Sequence, residues 1–251
     1  MINYYNKYIR IFIIVRVKQI LQALPFFKDK KYTPFLIIGH PRTGTSLLHT
    51  YLNSHPGILS LNELLANDTD KNALFGKFSL SIKAVGFKYF YEYILEENKK
   101  ALLGELLAAK KIKVLKIDRK DFFRTFVSLR IAEKTNQWSN SGDQQVGLKK
   151  KQMMLTAEEC IAAFENYEKA ETETMLLLKQ FNIPVLEIDY DELDNQPEAT
   201  LIQVQQFLGV KKKKLFTLLA KQNPEEITDL VVNYLELKQE LSGTKWELLY
   251  K

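Results

Sequence analysis

Residues 34–46 read Pro-Phe-Leu-Ile-Ile-Gly-His-Pro-Arg-Thr-Gly-Thr-Ser, an apolar run that ends in glycine and leads into a polar loop. Such a short continuous apolar run is typical of a strand that is buried on both faces of a parallel sheet. Helical periodicity begins at Thr45 and continues to Asn53, and His55-Pro-Gly57 stops it. The order strand, loop, helix predicts an α/β domain.

Further apolar runs over residues 112–117 and 185–188 predict two more strands of the same sheet. A capping box, Thr156-Ala-Glu-Glu159, opens a long helical segment. The fold class is therefore α/β, with a P-loop-like parallel sheet flanked by helices and a mainly helical insert over residues 66–110. The other predicted helices cover residues 121–135, 156–181 and 196–208, with two or three more between 211 and 251.

The chain has 251 residues, of which 46% are hydrophobic, enough for one full core. We expect a single domain over residues 34–251, preceded by an amphipathic segment over residues 1–33. Within that segment, Arg10, Arg16 and Lys18 interrupt the apolar residues 9–24, so no uncharged stretch is long enough to span a membrane. We expect a helix or strand packed on the domain; a basic helix lying on a membrane surface remains the alternative.

Composition excludes several classes of protein. Cys160 is the only cysteine, which excludes an intrachain disulfide framework and a cysteine zinc cluster. The net charge of +6 comes largely from short lysine runs that are typical of solvated loops, so we expect no nucleic-acid partner. The lone thiol and the lack of an export signal predict a cytoplasmic location, with peripheral membrane contact as the open alternative.

The loop over residues 39–46 has the spacing of a phosphate loop, G-x-x-x-x-G-x-[ST]. Backbone N–H groups at the start of a helix form a cradle for an anion. A nucleoside-triphosphate loop has Lys where this chain has Thr45, and the nearest cation is Arg42. Arg42 with the hydroxyl groups of Thr43, Thr45 and Ser46 suits a single tetrahedral anion. Asp189, after the third strand, leaves a magnesium-dependent P-loop kinase or nucleotide hydrolase as the alternative.

The stretch Pro41-Arg-Thr-Gly-Thr-Ser-Leu-Leu48 resembles the 5′-phosphosulfate loop of sulfotransferases that use 3′-phosphoadenosine 5′-phosphosulfate (PAPS). The continuation through His55-Pro56 to Asn62-Glu-Leu-Leu65 is most similar to bacterial carbohydrate sulfotransferases, the group that includes rhizobial nodulation-factor enzymes. The resemblance runs from about Phe35 to the C-terminus and is poor over residues 66–110.

This resemblance implies a set of donor-binding residues. Arg42, Thr43, Gly44, Thr45 and Ser46 would hold the 5′-phosphosulfate. Arg119 and Ser128 match the Arg and Ser that bind the 3′-phosphate in the family, and Lys120 replaces Arg119 if the register shifts by one. Lys221 matches a basic loop that closes over the nucleotide, and Trp138 would pack the nucleotide or form the acceptor wall. The donor would be PAPS and the product PAP, with no metal.

The resemblance also implies sulfuryl transfer to a hydroxyl of a carbohydrate or glycolipid, with residues 66–110 shaping the acceptor pocket. Arg42 would stabilise the departing 5′-phosphate. Glu63 is the candidate base, since it follows the loop helix and matches a Glu in related bacterial enzymes, and His40 is the reserve base. His49 is expected to pack on a helix face and His55 to lie in a turn. A non-catalytic PAP-binding protein is a third possibility.

Overall fold

The apolar run after residue 33 forms the middle strand of a parallel sheet, as predicted. A computed structural model describes residues 2–23, 28–64, 75–109, 111–138 and 146–247. The strands are β1 (Lys28–Asp29), β2 (Thr33–Gly39), β3 (Ile58–Ser60), β4 (Phe78–Ser79), β5 (Ala84–Phe90), β6 (Lys113–Asp118) and β7 (Val185–Asp189). The α-helices are α1 (Ile2–Ala23), α2 (Thr45–Asn53), α3 (Glu97–Ala109), α4 (Phe122–Thr135), α5 (Leu148–Lys151), α6 (Ala157–Gln180), α7 (Tyr190–Asn195), α8 (Pro197–Leu208), α9 (Ile227–Leu230) and α10 (Tyr234–Glu240).

The main sheet has five parallel strands in the order β3-β5-β2-β6-β7. Alternate residues of β2 point to opposite faces, so Leu36 and Ile38 pack in one core cluster and Phe35 and Ile37 in another. All four side chains are fully buried. Because the strands are parallel, their carboxyl ends meet at one edge of the sheet, where ligands bind in such folds.

The prediction of a mainly helical insert over residues 66–110 is wrong for β5, which pairs with β2 along its whole length. Aromatic residues favour strands, but Lys88 interrupts the apolar pattern and concealed the strand. Lys88 is only 3% exposed because it has polar partners at the edge of the sheet. Gly86 allows the close approach of β2, since a Cβ there would lie 2.3 Å from the Phe35 carbonyl oxygen. Helix α3, over Glu97–Ala109, confirms that part of the predicted insert is helical.

The predicted N-terminal segment contains a 22-residue helix, α1. Its Lys18 side chain is buried and donates a hydrogen bond to the Asn53 carbonyl oxygen at 2.8 Å. Among the described helices, none is long and apolar enough to cross a bilayer. The packed helix is the arrangement that the sequence favoured, and the division of the chain at residues 33 and 34 stays a prediction.

The segment after α8 contains two helices, α9 and α10, in agreement with the two or three predicted between residues 211 and 251. Helix α8 ends at Gly209 in the left-handed conformation, as expected, but helices resume only at Ile227. The intervening backbone bonds to other elements instead of to itself. Lys213 N donates to Gln205 Oε1 at 2.7 Å, and Phe216 N donates to Ser54 Oγ at 3.0 Å. These contacts place residues 213–216 beside α8 and the C-terminal end of α2.

Candidate functional site

The loop that joins β2 to α2 is held in a tight turn. Arg42 has φ of 72° and Gly44 has φ of 97°, both in the left-handed region. A Cβ on Gly44 would lie 2.5 Å from the Tyr190 ring, so only glycine fits there. The Thr43 hydroxyl donates to the His40 carbonyl oxygen at 2.7 Å and stabilises the turn from inside.

Helix α2 begins at this turn with Gly44 as its N-cap, which has no side chain to satisfy the first N–H groups. Thr45, Ser46 and Leu47 line a cleft at the carboxyl edge of the sheet, together with Arg42 and Gly44. The free N–H groups and the helix dipole make this end of the cleft favourable for an anion. Of the predicted loop residues, Thr43 alone does not line the cleft, because its hydroxyl is used within the turn.

The remainder of the cleft is basic. Its cations come from three different segments and are Arg42, Arg119 with Arg124, and Lys221. Asp194 is the acidic side chain that lines it among the described residues, and it lies 3.8 Å from Lys221 Nζ. Such an excess of positive charge around one cleft favours a ligand with more than one anionic group.

Arg42 links the loop to two other segments. Its Nε donates to Ser128 Oγ at 3.1 Å, its Nη1 donates to the Trp138 carbonyl oxygen at 2.7 Å, and its Nη2 donates to Gln222 Oε1. Burial and the neighbouring Arg119 lower the pKa of Arg42 to about 10, which still leaves the guanidinium charged at neutral pH. Two residues that the sequence assigned to different phosphates, Arg42 and Ser128, are thus in direct contact.

Arg119 and Lys120, in the loop after β6, point in different directions. The Arg119 guanidinium lies over the Tyr190 ring, 4.7 Å from its centre, and lines the cleft. Lys120 points to solvent and pairs with Asp189 at 2.8 Å, outside the lining of the cleft. The geometry favours Arg119.

Arg124 lines the same cleft and was not among the residues predicted from the sequence. Its Nη2 donates to the carbonyl oxygens of Asn223 and Glu225, at 3.0 and 2.6 Å. Arg124 precedes Ser128 by one helical turn of α4, so the two share a face. That spacing was the signal in the sequence that could have revealed it.

Residues 219–223 form another wall of the cleft, and Lys221 lies among them. Asn223 Nδ2 donates to Ser128 Oγ at 3.1 Å, and Gln222 Nε2 donates to the Gln137 carbonyl oxygen at 3.2 Å. Residues 219–223 are therefore hydrogen-bonded to α4 and to the segment that follows it. Trp138, half-exposed, lines the cleft beside Arg42, which places it on the side of Arg119 and not of Glu63.

Ser46 connects the cleft to the candidate base. Lys88 Nζ donates to Ser46 Oγ at 3.1 Å and to Glu63 Oε1 at 2.9 Å. Lys88 is buried, whereas the Glu63 side chain is 32% exposed. Glu63 therefore lies beside the loop, on the other side of Ser46 from the basic cleft. Lys88 was missed because the strand that carries it was not predicted.

The reserve base, His40, does not reach the cleft. It is 2% exposed, and its Nδ1 lies 2.8 Å from Glu92 Oε1. Its ring packs between Tyr91 and Tyr167, with ring centres 4.7 and 4.4 Å away. A histidine follows the apolar strand in the sequence, but the turn directs this one into the core.

The other two histidines have structural contacts. His55 lies in the turn after α2, where its Nδ1 accepts from Gly57 N at 2.9 Å. His49 lies on the α2 face that meets β3, with its Nδ1 2.9 Å from Ser60 Oγ. Burial, and secondarily the positive charge of Lys88, lowers the pKa of His49 to about 4.

We expect His49 to make the protein less stable as the pH falls below about 6.5. The unfolded chain then binds a proton that the folded chain excludes until about pH 4, so the free energy of unfolding declines in that window and is unaffected above it. The loss attributable to His49 at pH 5 is about 2 kcal/mol. Urea unfolding of the wild type and His49→Gln at pH 7.5 and pH 5 measures it. An equal loss in both proteins would contradict the assignment.

Asp189 is used within the fold. Its Oδ1 accepts from the backbone N–H groups of Asp191 and Glu192, at 2.8 and 3.4 Å, and so caps α7. Its Oδ2 pairs with Lys120. Both oxygens of the acid that suggested a magnesium site therefore have partners in the protein.

The chain resembles known proteins both in sequence and in fold. A profile of the sulfotransferase family matches residues 34–138, which include the loop, β5, β6 and α4. Nodulation proteins H of Rhizobium tropici and Rhizobium meliloti (strain 1021) are 28% and 26% identical to the chain. The matches cover 84% and 82% of this chain and 90% of each relative. A crystal structure of a sulfotransferase from Alicyclobacillus acidocaldarius has a similar fold, with a TM-score of 0.54 at 19% identity, over 83% of this chain and 89% of that one.

Proposed function

We propose that the chain is a sulfotransferase, since a profile of that family matches residues 34–138, and that it transfers a sulfuryl group from PAPS to a hydroxyl of a carbohydrate or glycolipid. The choice of PAPS as the donor rests on the arrangement of the cleft. The anion cradle at the start of α2 and the pair Arg119 and Ser128 lie in one cleft, joined by Arg42. A donor that has a phosphosulfate at one end and a 3′-phosphate at the other supplies the two anionic groups that such a cleft favours.

Each part of the cleft has a role in this proposal. The N–H groups of Thr45 and Ser46 hold the 5′-phosphosulfate, and Arg119, Arg124 and Ser128 hold the 3′-phosphate. Charged guanidinium groups suit phosphates because they donate several hydrogen bonds in a fixed plane. Lys221 closes the cleft from the wall over residues 219–223.

Transfer at this site requires one bond to form as another breaks. The acceptor oxygen attacks sulfur from the side of Glu63, and its proton moves to the Glu63 carboxylate. The bond between sulfur and the 5′-phosphate oxygen breaks in line with the attack, and PAP leaves with the bonding electrons. Arg42 and the loop N–H groups stabilise the charge that grows on the leaving phosphate. Lys88 donates hydrogen bonds both to Glu63 and to Ser46 of the loop.

The acceptor approaches from the side of Glu63 and the carboxyl end of β5. Partly exposed rings of Phe90 and Tyr93 lie there, with centres 5.7 Å apart. Aromatic faces beside a carboxylate suit a sugar, which has apolar C–H faces and hydroxyl edges. The resemblance of residues 55–65 to bacterial carbohydrate sulfotransferases supports the same class, and residues 66–110 would shape the rest of the pocket.

Thermal unfolding with nucleotides tests the proposal. We expect PAP to raise the melting temperature more than AMP does, because only PAP engages Arg119, Arg124 and Ser128. A ligand at a hundredfold excess over its Kd stabilises the folded state by about 2.7 kcal/mol. Arg124→Ala should reduce the PAP shift towards the AMP shift. Arg130→Ala is the matched control, since Arg130 lies on the same helix outside the cleft and pairs with Glu133.

Other outcomes would select other functions. Equal shifts with AMP and PAP would contradict the 3′-phosphate site, and a larger shift with ATP and Mg²⁺ would favour a kinase or hydrolase. PAP binding without transfer from PAPS to any of a panel of chitooligosaccharides, trehalose and glycolipids would favour a non-catalytic PAP-binding protein.

A further inference from the structure

Helix α1 has two different faces. Ile11, Ile14, Lys18, Leu21 and Gln22 recur every three or four residues, and all are buried or half-buried. The bond from Lys18 to the Asn53 carbonyl oxygen fixes the rotation of this face towards the domain. Ser79 N also donates to Gln22 Oε1 at 2.9 Å. The opposite side of the helix therefore faces solvent.

The outward side of α1 is apolar. Its members, which we call the apolar face, are Ile9, Phe12, Ile13, Val17 and Ile20. Their exposed fractions run from 38% for Ile9 to 63% for Ile20. Scattered exposed apolar residues are ordinary, but five on one face of one helix mark an interaction surface. Arg16 lies among them, and its guanidinium covers the Phe12 ring at 5.2 Å from the ring centre.

The charged side chains of α1 itself have one sign. Helix α1 contains no Asp or Glu, and Lys7, Arg10 and Arg16 are exposed. The Arg10 guanidinium lies over the Phe216 ring, 5.6 Å from its centre, next to the exposed lysines of residues 211–214.

The lysine run joins this basic surface. Lys7 of α1 lines one depression together with Lys212, Lys213 and Lys214. Glu198 is the acid in that depression among the described residues, and it lies 3.5 Å from Lys214. Two basic features that are about 200 residues apart in the sequence thus form one positive surface beside the apolar face.

We propose that α1 docks on a lipid bilayer that contains anionic phospholipids, with the apolar face inserted at the level of the head groups. An apolar helical face bordered by cations and free of acids is the pattern of helices that lie in a membrane interface. Long basic side chains reach the phosphates while their stems cover apolar surface. A symmetric contact with a second copy would bring the same cations together, so charge favours the bilayer over self-association.

This surface is separate from the sulfuryl-transfer site. Helix α1 contacts Asn53 at the C-terminal end of α2, whereas the anion cradle is at Thr45, the first residue of that helix. Membrane docking therefore stands independently of the proposed activity, and variants on α1 should leave the thermal shift with PAP unchanged.

Co-sedimentation of the full chain with vesicles tests the proposal. We expect binding to vesicles of phosphatidylcholine mixed with phosphatidylglycerol, and much weaker binding to phosphatidylcholine alone. The double variant Ile13→Gln with Ile20→Gln should weaken binding by roughly tenfold for each isoleucine. Its matched control is Leu176→Gln with Leu235→Gln, since these leucines are 62% and 76% exposed on other helices. Replacing Lys212, Lys213 and Lys214 with Gln should weaken binding by roughly fivefold per lysine.

Three results would overturn the proposal. One is equal binding to neutral and anionic vesicles. Another is equal loss of binding in the α1 variant and in its control. The third is a dimer in sedimentation velocity that the α1 variant dissociates, without vesicle binding by the wild type, which would assign the apolar face to a second copy.

Discussion

Glu63→Gln should lower kcat for sulfuryl transfer by about 10²–10⁴-fold, the usual contribution of a general base. Glutamine keeps the shape of the side chain and an oxygen that accepts the hydrogen bond from Lys88, but it does not take a proton from the acceptor. The KM for PAPS should change little, because Glu63 lies on the other side of Ser46 from the basic cleft. Steady-state kinetics with the acceptor found in the panel measures both constants.

The chain offers a matched control for this variant. Glu173 forms a pair with Lys100 at 2.9 Å and is 29% exposed, compared with 2.9 Å and 32% for the pair of Glu63 and Lys88. Glu173→Gln removes an ion pair of the same length outside the cleft, whose lysine is 40% exposed. It should leave kcat within about twofold, since surface pairs contribute about 0–1 kcal/mol. Near-normal turnover by Glu63→Gln on the true acceptor would refute its role as base.

Arg42→Ala should lower kcat by about 10²–10³-fold, the effect of removing one preorganised contact to a developing anion. The charge on the leaving 5′-phosphate grows as the bond to sulfur breaks, so its partner contributes most in the transition state. Arg119→Ala should raise the KM for PAPS instead, because the charge of the 3′-phosphate does not change during transfer. Steady-state kinetics should therefore show a lower kcat for Arg42→Ala and a higher KM for PAPS for Arg119→Ala.

Gln222→Ala serves as the comparison for Arg42. It removes one hydrogen-bond partner of Arg42 but keeps the guanidinium, so we expect less than about tenfold loss of kcat. Thermal unfolding of each variant shows whether the loop is intact, since Arg42 bridges three segments. If Arg42→Ala changes only the KM for PAPS, Arg42 binds the donor and takes no part in the transition state.

The sequence predicted best those features of the fold and the site that depend on a few adjacent residues. The apolar run over residues 34–39, the turn with Gly44 and helix α2 follow from local patterns, and the structure has them at the predicted places. Arg42, Arg119 and Ser128 were selected from two such segments and meet in one cleft. Local pattern predicted less well where burial depends on a distant partner.

Lys88 is the clearest example of such a distant partner. A lysine within an aromatic run argued against a buried strand, yet the strand forms because Glu63 and Ser46 satisfy its ammonium group. Arg124 and the wall over residues 219–223 belong to the cleft because α4 and the C-terminal part of the chain pack together. His40 was a plausible base by position, and it is buried because Tyr91 and Tyr167 enclose its ring.

By itself, the sequence determined the α/β architecture, the glycine turn between β2 and α2, and the segments that carry the basic residues. Strand burial, turn geometry and helix capping depend on neighbours along the chain. Only the tertiary structure decided which cations share the cleft, that Lys88 joins Ser46 to Glu63, that Thr43 and His40 face inwards, and that the lysine run lies beside α1. These depend on contacts between residues far apart in the chain, whose packing and charge compensation no local pattern records.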